Sequence, residues 1–326
     1  MTAMQGGEGI RVPDGAEIVG QVGGMPRLWV SLPADEDGFI GMRCPKCGED
    51  FRLHNDDYEG LPESIWCVYC GLSSHKGWFE TVQQHDRFLV AVRDFGAQVA
   101  LRMTNGLSPD GEILFGGRPY RPQPLPPIDE ERLVRVRNCG SCRLRYAVFG
   151  QHRYCPACGQ LPAHIVAADA LDAATDRLDD LTRRTGAEAK ALREQGVFDQ
   201  TRTDILIALV SLVETLAKAI DGRPVPRRDR NVFQRLEPMA DRFVDAGFAD
   251  LRQRVNEAIW QRLKVTWQQR HLLVHNDGVV DSSYLENDPT GSAKLGQRLR
   301  ISDRECRQAI EDTRHLCAAI AALKTP

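Results

Sequence analysis

Eight of the ten cysteines in this chain fall into four C-x-x-C pairs, and that spacing restricts its N-terminal half more than any hydrophobic pattern does. The first set is Cys44-Pro-Lys-Cys47 followed, after nineteen residues, by Cys67-Val-Tyr-Cys70. The second is Cys139-Gly-Ser-Cys142 followed, after twelve, by Cys155-Pro-Ala-Cys158. Each set offers four thiolates, enough to enclose one zinc ion in a tetrahedral site. Gly48, Gly71 and Gly159 follow the last cysteine of their pairs, where glycine lets the backbone turn its N–H groups towards sulfur. The pattern predicts two small β-ribbons holding two structural zinc ions. A closed four-sulfur site has no open position, so neither ion is expected to be catalytic. Redox use of the pairs is the rival reading. It is disfavoured because none of the four lies in a thioredoxin-like strand–helix pattern. Metal spacing also points to a reducing compartment rather than a secreted disulfide scaffold.

Composition sets bounds only. The 326 residues suffice for two or three domains, and a net charge of -3 does not by itself suggest a nucleic-acid partner. No stretch approaches 18 apolar residues and the N-terminus is Gly-rich and acidic rather than signal-like, so a cytoplasmic protein with no membrane association is expected. Residues 1–27 are expected to be flexible, and 28–104 to form the first ribbon with a helix packed on it. That helix, read over Phe79–Met103, carries Val82, Phe88, Leu89, Val92 and Phe95 on or near one face. Residues 105–130 form a linker on the strength of five prolines between Arg118 and Ile128. The second ribbon spans 131–162.

The two ribbons differ in charge. Acids predominate around the first: Glu49, Asp50, Asp56, Asp57, Glu59 and Glu63 stand against Lys46 and Arg52. From Arg132 to Pro162 there is no acid, and six arginines are interleaved with Tyr146, Phe149 and Tyr154. Guanidinium groups pair with phosphates and aromatic rings stack on bases. Arg135, Arg137, Arg143, Arg145, Tyr146 and Arg153 are therefore the candidate nucleic-acid contacts, with a solvated charged face as the plainer alternative. The first ribbon is the candidate site for a protein partner. The phrases Leu32-Pro-Ala-Asp-Glu-Asp-Gly-Phe39 and Trp66-Cys67-Val-Tyr-Cys70-Gly71 resemble a ribbon found at the front of many bacterial proteins, over about residues 28–90.

After Pro162 the pattern becomes helical. Residues 163–197 are charged and Ala-rich, as in a spacer helix, and 198–326 read as a bundle. Ile205 to Ile220 leaves only a narrow polar strip, which suits a bundle core or a dimer seam. Glu214 and Lys218 are spaced for a surface ion pair. Ala249 to His275 reads as one long helix with Leu251, Val255, Ile259, Trp260, Leu263, Trp267 and Val274 buried. Ser302-Asp-Arg-Glu305 is a capping box for the last helix. On that helix Cys306 and Cys317 fall on the core face, as small packing residues.

The long helix ends in Arg270-His-Leu-Leu-Val-His275, stopped by Asn276-Asp277-Gly278. Arginine keeps its charge and histidine titrates near neutrality, the two properties that cutting a phosphodiester needs. Here the chain resembles the HEPN superfamily, helical nucleic-acid-binding domains whose ribonuclease members carry Arg-(Asn/Asp/His)-x-x-x-His. The fold expected is thus mainly α with small β zinc ribbons, followed by a HEPN-like bundle. The resemblance implies a metal-independent endoribonuclease, of a kind that often serves in defence or stress. Arg270 would stabilise charge on phosphorus, His275 would move the proton, and Asn276 would hold the phosphate or orient the imidazole. RNA is the expected substrate because DNA lacks the 2'-hydroxyl. Arg270 and His275 lie about 140° apart on an ideal helix, so either the helix frays or two copies share one cleft. Catalytic HEPN domains dimerise, which implies a homodimer with its seam on this helix and Ile205–Ile220. His271, four residues after Trp267, reads as a packed core histidine. The competing function is a non-catalytic adaptor that binds through its ribbons and dimerises through its helices. A zinc-dependent hydrolase is disfavoured because every C-x-x-C belongs to a closed site.

Overall fold

Strands concentrate before Pro162 and helices after it, following the change in composition. The computed structural model describes residues 10–22, 25–105, 108, 110–128, 135–286 and 293–323. They divide into one unit of residues 1–149 with 153–160 and another of residues 150–152 with 161–326.

In the first unit, β1 (Ala16–Val22) pairs antiparallel with β2 (Met25–Val30), with a register shift between Ile18 and Gly20. Of the segment read as flexible, residues 1–9 and 23–24 lie outside the described residues, but the remainder contains β1 and the start of β2. β3 (Phe39–Arg43), β4 (Asp50–His54) and the single turn α1 (Asn55–Tyr58) carry the first half of the first ribbon. β5 (Ser64–Trp66) and β6 (Ser73–His75) carry its second half. Helix α2 (Val82–Asn105) and the short pair β7 (Leu114–Phe115) and β8 (Arg118–Pro119) follow. The second ribbon comprises β9 (Arg135–Asn138), β10 (Arg145–Val148), β11 (Tyr154–Cys155) and β12 (Gly159–Gln160).

The ribbons are not separate modules. β3, β4, β10 and β9 form one four-stranded sheet in that order, with Leu53 opposite Tyr146 and Arg52 opposite Ala147. Arg52 lies five residues after Cys47 and Ala147 five after Cys142 (52 − 47 = 147 − 142), so equivalent positions face each other across the seam. The two halves are related by a local pseudo-two-fold. Each ribbon alone would be a two-stranded hairpin with open edges, marginal in water. Pairing β4 with β10 closes one edge of each. Phe51, Leu53, Tyr146, Ala147 and Val148 are all buried there, with Ala147 packed against Phe39.

Helix α2 packs mainly by its polar side, and of the five apolar residues expected to be covered only Leu89 and Phe95 are half-buried. Val82 is 62% exposed, and Phe88 and Val92 are also exposed, whereas Gln84, Arg87, Ala91, Asp94 and Gln98 are buried. The physical reason lies in the edge strand β3 and the irregular segments beside it, whose outward backbone groups lack ladder partners and must be satisfied by side chains. Gln84 Nε2 donates to Gly41 O (2.7 Å), and Gln98 accepts from Arg11 N (2.9 Å) and donates to Arg11 O (2.6 Å). Arg87 donates to Ser31 O (3.1 Å) and Pro126 O (2.7 Å). Asp94 accepts from Tyr120 Oη (2.7 Å) and Gln123 N (3.1 Å). The proline-rich stretch, expected as a linker, is thereby anchored on α2. Residues 106–107, 109 and 129–134, Arg132 among them, lie outside the described residues.

The second unit is helical: α3 (Ala163–Arg183), α4 (Gly186–Glu194), α5 (Val197–Asp221), α6 (Leu236–Asp245), α7 (Leu251–Arg254), α8 (Glu257–His275), α9 (Ser282–Leu285) and α10 (Asp303–Ala321). Helix α5 supplies Ile205, Leu206, Leu209, Val210, Val213 and Leu216 to one core with Phe243, Trp260, Leu263 and Ile310. Fully burying such a side chain contributes roughly 1.5–3 kcal/mol, and this packing occupies the face that was expected to form a dimer seam. Helix α3 adds Ala167, Leu171 and Leu178 to the same core, so it is a bundle member and not a spacer. Glu214 and Lys218 pair at 2.6 Å, and the Ser302–Glu305 capping box is present. Cys306 and Cys317 are buried, which pushes their thiols up to about 11 and about 12, as suits inert packing residues. The expected long helix is interrupted at Val255–Asn256, where Asn256 Oδ1 caps α8 by accepting from Ala258 N (2.9 Å). Val274, expected to be buried, is 41% exposed. The stretch before α10 contains α9 and a Val279–Arg298 bridge, with residues 287–292 outside the described residues.

Candidate functional site

The eight pair cysteines come together in two four-sulfur groups, each with its Sγ atoms within 4.8 Å of one another. Cys44–Cys70 and Cys47–Cys67 are 3.7 Å apart in the first; Cys139–Cys158 and Cys142–Cys155 are 3.8 and 3.7 Å apart in the second. A disulfide would need about 2.05 Å. A tetrahedron with metal–sulfur bonds of about 2.3 Å has sulfur–sulfur edges of about 3.8 Å, so the donor sets fit a zinc-sized ion. The turns are built alike: Gly48 N donates to Cys44 O (2.9 Å) and Arg143 N to Cys139 O (2.8 Å). Gly48 holds φ 75° there, and Arg143 occupies the equivalent position at φ 64° although it is not glycine.

The arginine-rich stretch divides on folding. Arg135 and Tyr146 are 6% and 2% exposed, in the interior of the shared sheet rather than on a surface that could meet phosphate or base. Arg145 is spent on the first ribbon: its Nε and Nη2 donate to Asp57 (3.0 and 2.8 Å), and Nη2 also reaches Asp56 (3.3 Å). Its guanidinium holds the Asp57 carboxyl down at about 2. The opposite charges of the ribbons therefore partly neutralise each other across their joint. Arg143 and Arg153 are exposed, and Arg137 is half-buried.

Within the helical unit, Arg270, His271 and His275 line one cleft of about 680 Å³. Helix α8 forms one wall with Lys264, Trp267, Gln268 and these three residues. Residues leading into α6 (Asn231, Gln234, Arg235) and its first turn form another, and Asp281, Ser283 and Tyr284 of the α9 region complete it. Lys264, Gln268, His271 and His275 succeed one another at helical spacing along one face, and Arg270, about 130° round the helix from that line, also lines the cleft. Of the two expected ways to bring Arg270 and His275 together, a fraying helix is not seen: α8 stays helical through His275, and both residues line the cleft. The helix stops just beyond, where Asn276 N and Gly278 N both donate to Leu272 O (2.9 Å each). Asn276 does not line the cleft; its Nδ2 donates to Val279 O at 2.6 Å, in the turn that ends the helix.

The cleft is rich in donors. Arg235, Lys264 and Arg270 face it alongside Glu237 and Asp281. Glu237 is engaged by Trp260 Nε1 (3.0 Å), Lys264 (3.5 Å) and Arg252 (3.3 Å), and Asp281 caps α9 by accepting from Tyr284 N (2.8 Å). Arg270 Nε and Trp267 Nε1 are buried donors with no acceptor among the described residues. His271 is exposed, not packed in the core, because it lies about 40° round α8 from Trp267, past the edge of the apolar stripe. Its ring centroid is 4.8 Å from that of His275, with the planes tilted by 49°. Pattern reading missed Trp267 and Lys264 as cleft residues; their spacing from His271 along α8 was the available signal. Among the described residues the clusters of three or more ligand side chains are the two cysteine groups, and neither includes His271 or His275. Neither a protein-family model, nor a curated protein, nor a solved structure matches this chain. No helix among the described residues is long and apolar enough to cross a membrane.

Proposed function

We propose that this chain is a metal-independent endoribonuclease of the HEPN type, with zinc in both four-cysteine sites serving structure alone. The observation that carries the reading is the gathering of Arg270 and His275 in one donor-rich cleft of a single chain. Arg270 would hold the charge that grows on the phosphoryl oxygens, and His275 would transfer a proton at the 2'- or 5'-oxygen. The products are a 2',3'-cyclic phosphate and a 5'-hydroxyl. Zinc, when bound, supplies folding energy to the ribbons by tying four thiolates together, and the exposed Arg143 and Arg153 would steer RNA.

A panel of single-stranded and structured RNAs tests this. The wild-type chain is expected to cut at sites that a 2'-O-methyl group protects, and Arg270→Ala and His275→Ala are each expected to stop cutting. An intact panel would sink the nuclease reading. The adaptor reading rests on a different observation, the exposed apolar residues Phe88, Val92 and Met103 of α2. It predicts nucleic-acid or protein binding without turnover.

A further inference from the structure

We propose that helix α2 docks antiparallel against α2 of a second copy of this chain, across a two-fold axis between Leu89 and Val92. The proposal concerns the first unit and stands whether or not the helical cleft cuts RNA. Val82, Leu89, Gly96 and Met103 recur every seven residues along α2, and His85, Val92 and Val99 occupy the intermediate positions. All seven are exposed or half-buried. Such a 3.5-residue stripe is the pattern that lets two helices coil together. The residues that pack inside the unit, among them Gln84, Arg87, Ala91 and Asp94, lie on the opposite side of the helix. A contiguous apolar stripe left in water marks an interaction surface.

The face complements itself, which identifies its occupant as another copy. When Leu89 stands opposite the partner's Val92 in an antiparallel pair, heptad arithmetic brings four matches together. Asp86 meets the partner's Arg93 on one flank, twice by symmetry; both are exposed and neither makes an ion pair among the described residues. Phe88 meets the partner's Phe95 on the other flank. His85 faces the partner's Gly96, where even a Cβ would find nothing within 4 Å. Glycine weakens a helix interior, and at this position it leaves room for an imidazole. Met103, 81% exposed, reaches the partner's cleft of about 580 Å³ at the start of α2, lined by Pro45, Trp78, Val82 and His85 in each copy. Charges beside such a seam set orientation and register. Sliding the helices by one heptad sets Asp86 against the partner's Asp86 or Arg93 against the partner's Arg93. A parallel pair sets Arg93 beside the partner's Phe88 instead of an acid.

Sedimentation velocity of the zinc-loaded full chain over a concentration series tests this. Wild type is expected to pass from monomer to dimer as concentration rises. Val92→Glu, at an exposed position, is expected to stay monomeric with unchanged circular dichroism. Asp86→Arg and Arg93→Asp are each expected to raise Kd about tenfold, because each turns two attractive pairs repulsive. The double reversal exchanges the charges and is expected to restore Kd, a rescue that needs contact between the two positions. A wild type that is monomeric at every concentration overturns the proposal; RNA or protein binding that Val92→Glu abolishes would then give the face to a different partner. A dimer indifferent to Val92→Glu overturns it by placing the interface elsewhere. Weakening by the single reversals without rescue by the double overturns the antiparallel register and the proposal with it.

Discussion

Trp66 and Tyr154 lie parallel, with an interplanar angle of 2° and ring centroids 6.2 Å apart, and each covers the knuckle glycine of the other ribbon. A Cβ on Gly71 would run into the Tyr154 ring, and one on Gly159 would stand 3.1 Å from Trp66. The backbone repeats the reciprocity: Trp66 N donates to Pro156 O (2.9 Å) and Tyr154 N to Val68 O (3.0 Å). Equivalent residues thus make equivalent contacts, and the two metal-binding halves support each other directly.

Loss of one site should therefore undermine the other. Cys155→Ser is expected to reduce zinc from about two ions per chain towards none, as measured by elemental analysis of the purified protein. Retention of one ion at wild-type affinity would show that the shared sheet transmits no such dependence. Gly71→Ala should lower the melting temperature of the same unit, since it adds both a strained φ of 69° and a clash with Tyr154.

Arg143 is a stability defect at a position where Gly48 sits comfortably in the other ribbon. Arg143→Gly is expected to raise stability by roughly 0.5–1 kcal/mol, the left-handed strain relieved less the added freedom of the unfolded chain. Chelator-induced unfolding followed by fluorescence would measure it, and a destabilised variant would contradict the backbone argument.

The surviving basic surface can be tested against the buried one. Arg143→Glu with Arg153→Glu should weaken RNA binding and reduce its salt slope by about 0.7 for each single-strand phosphate that these arginines neutralise. Arg145→Glu should instead destabilise the ribbons, because it places a third carboxylate beside Asp56 and Asp57. An unchanged affinity in the double variant would return Arg143 and Arg153 to a solvated face.

In the helical unit, Asp221 is buried and accepts from Arg223 (2.5 Å) and Arg242 (2.8 Å). Burial alone would push its carboxyl up, but the two guanidinium groups outweigh that and hold it below 3.8. A depressed carboxyl contributes stability that is fully present above its unfolded value and lost as pH falls through the folded one. Asp221→Ala should cost roughly 3 kcal/mol near neutrality, measured by urea unfolding of the helices. The gap to wild type should narrow as pH drops below 3.8. A gap independent of pH would mean that packing, not charge, sets the role of Asp221.

Local signals carried over into the structure where the physics is local. C-x-x-C spacing positions sulfurs within one turn, a capping box closes within four residues, and the apolar run of α5 has to be buried somewhere. The same holds for the motif: Arg270, His271 and His275 were all visible as residue types. What no local pattern contained was which surfaces would meet. The polar face of α2 is buried because the edge strand and irregular backbone beside it need donors and acceptors, so hydrophobic periodicity pointed the wrong way. Arg145 and Tyr146 left the candidate RNA surface because β10 found β4, a pairing between residues some ninety positions apart that no window of sequence reports. His271 lies in the cleft and not at its expected core place because it falls past the edge of the apolar stripe of α8, across from the segment leading into α6. Sequence alone determined the ligand chemistry, the helical class of the second half and the residues of the motif, since each depends on neighbours along the chain. Tertiary structure decided that two ribbons share one sheet and that one chain gathers the arginine and both histidines in a single cleft, because burial and charge pairing are settled between segments far apart in sequence.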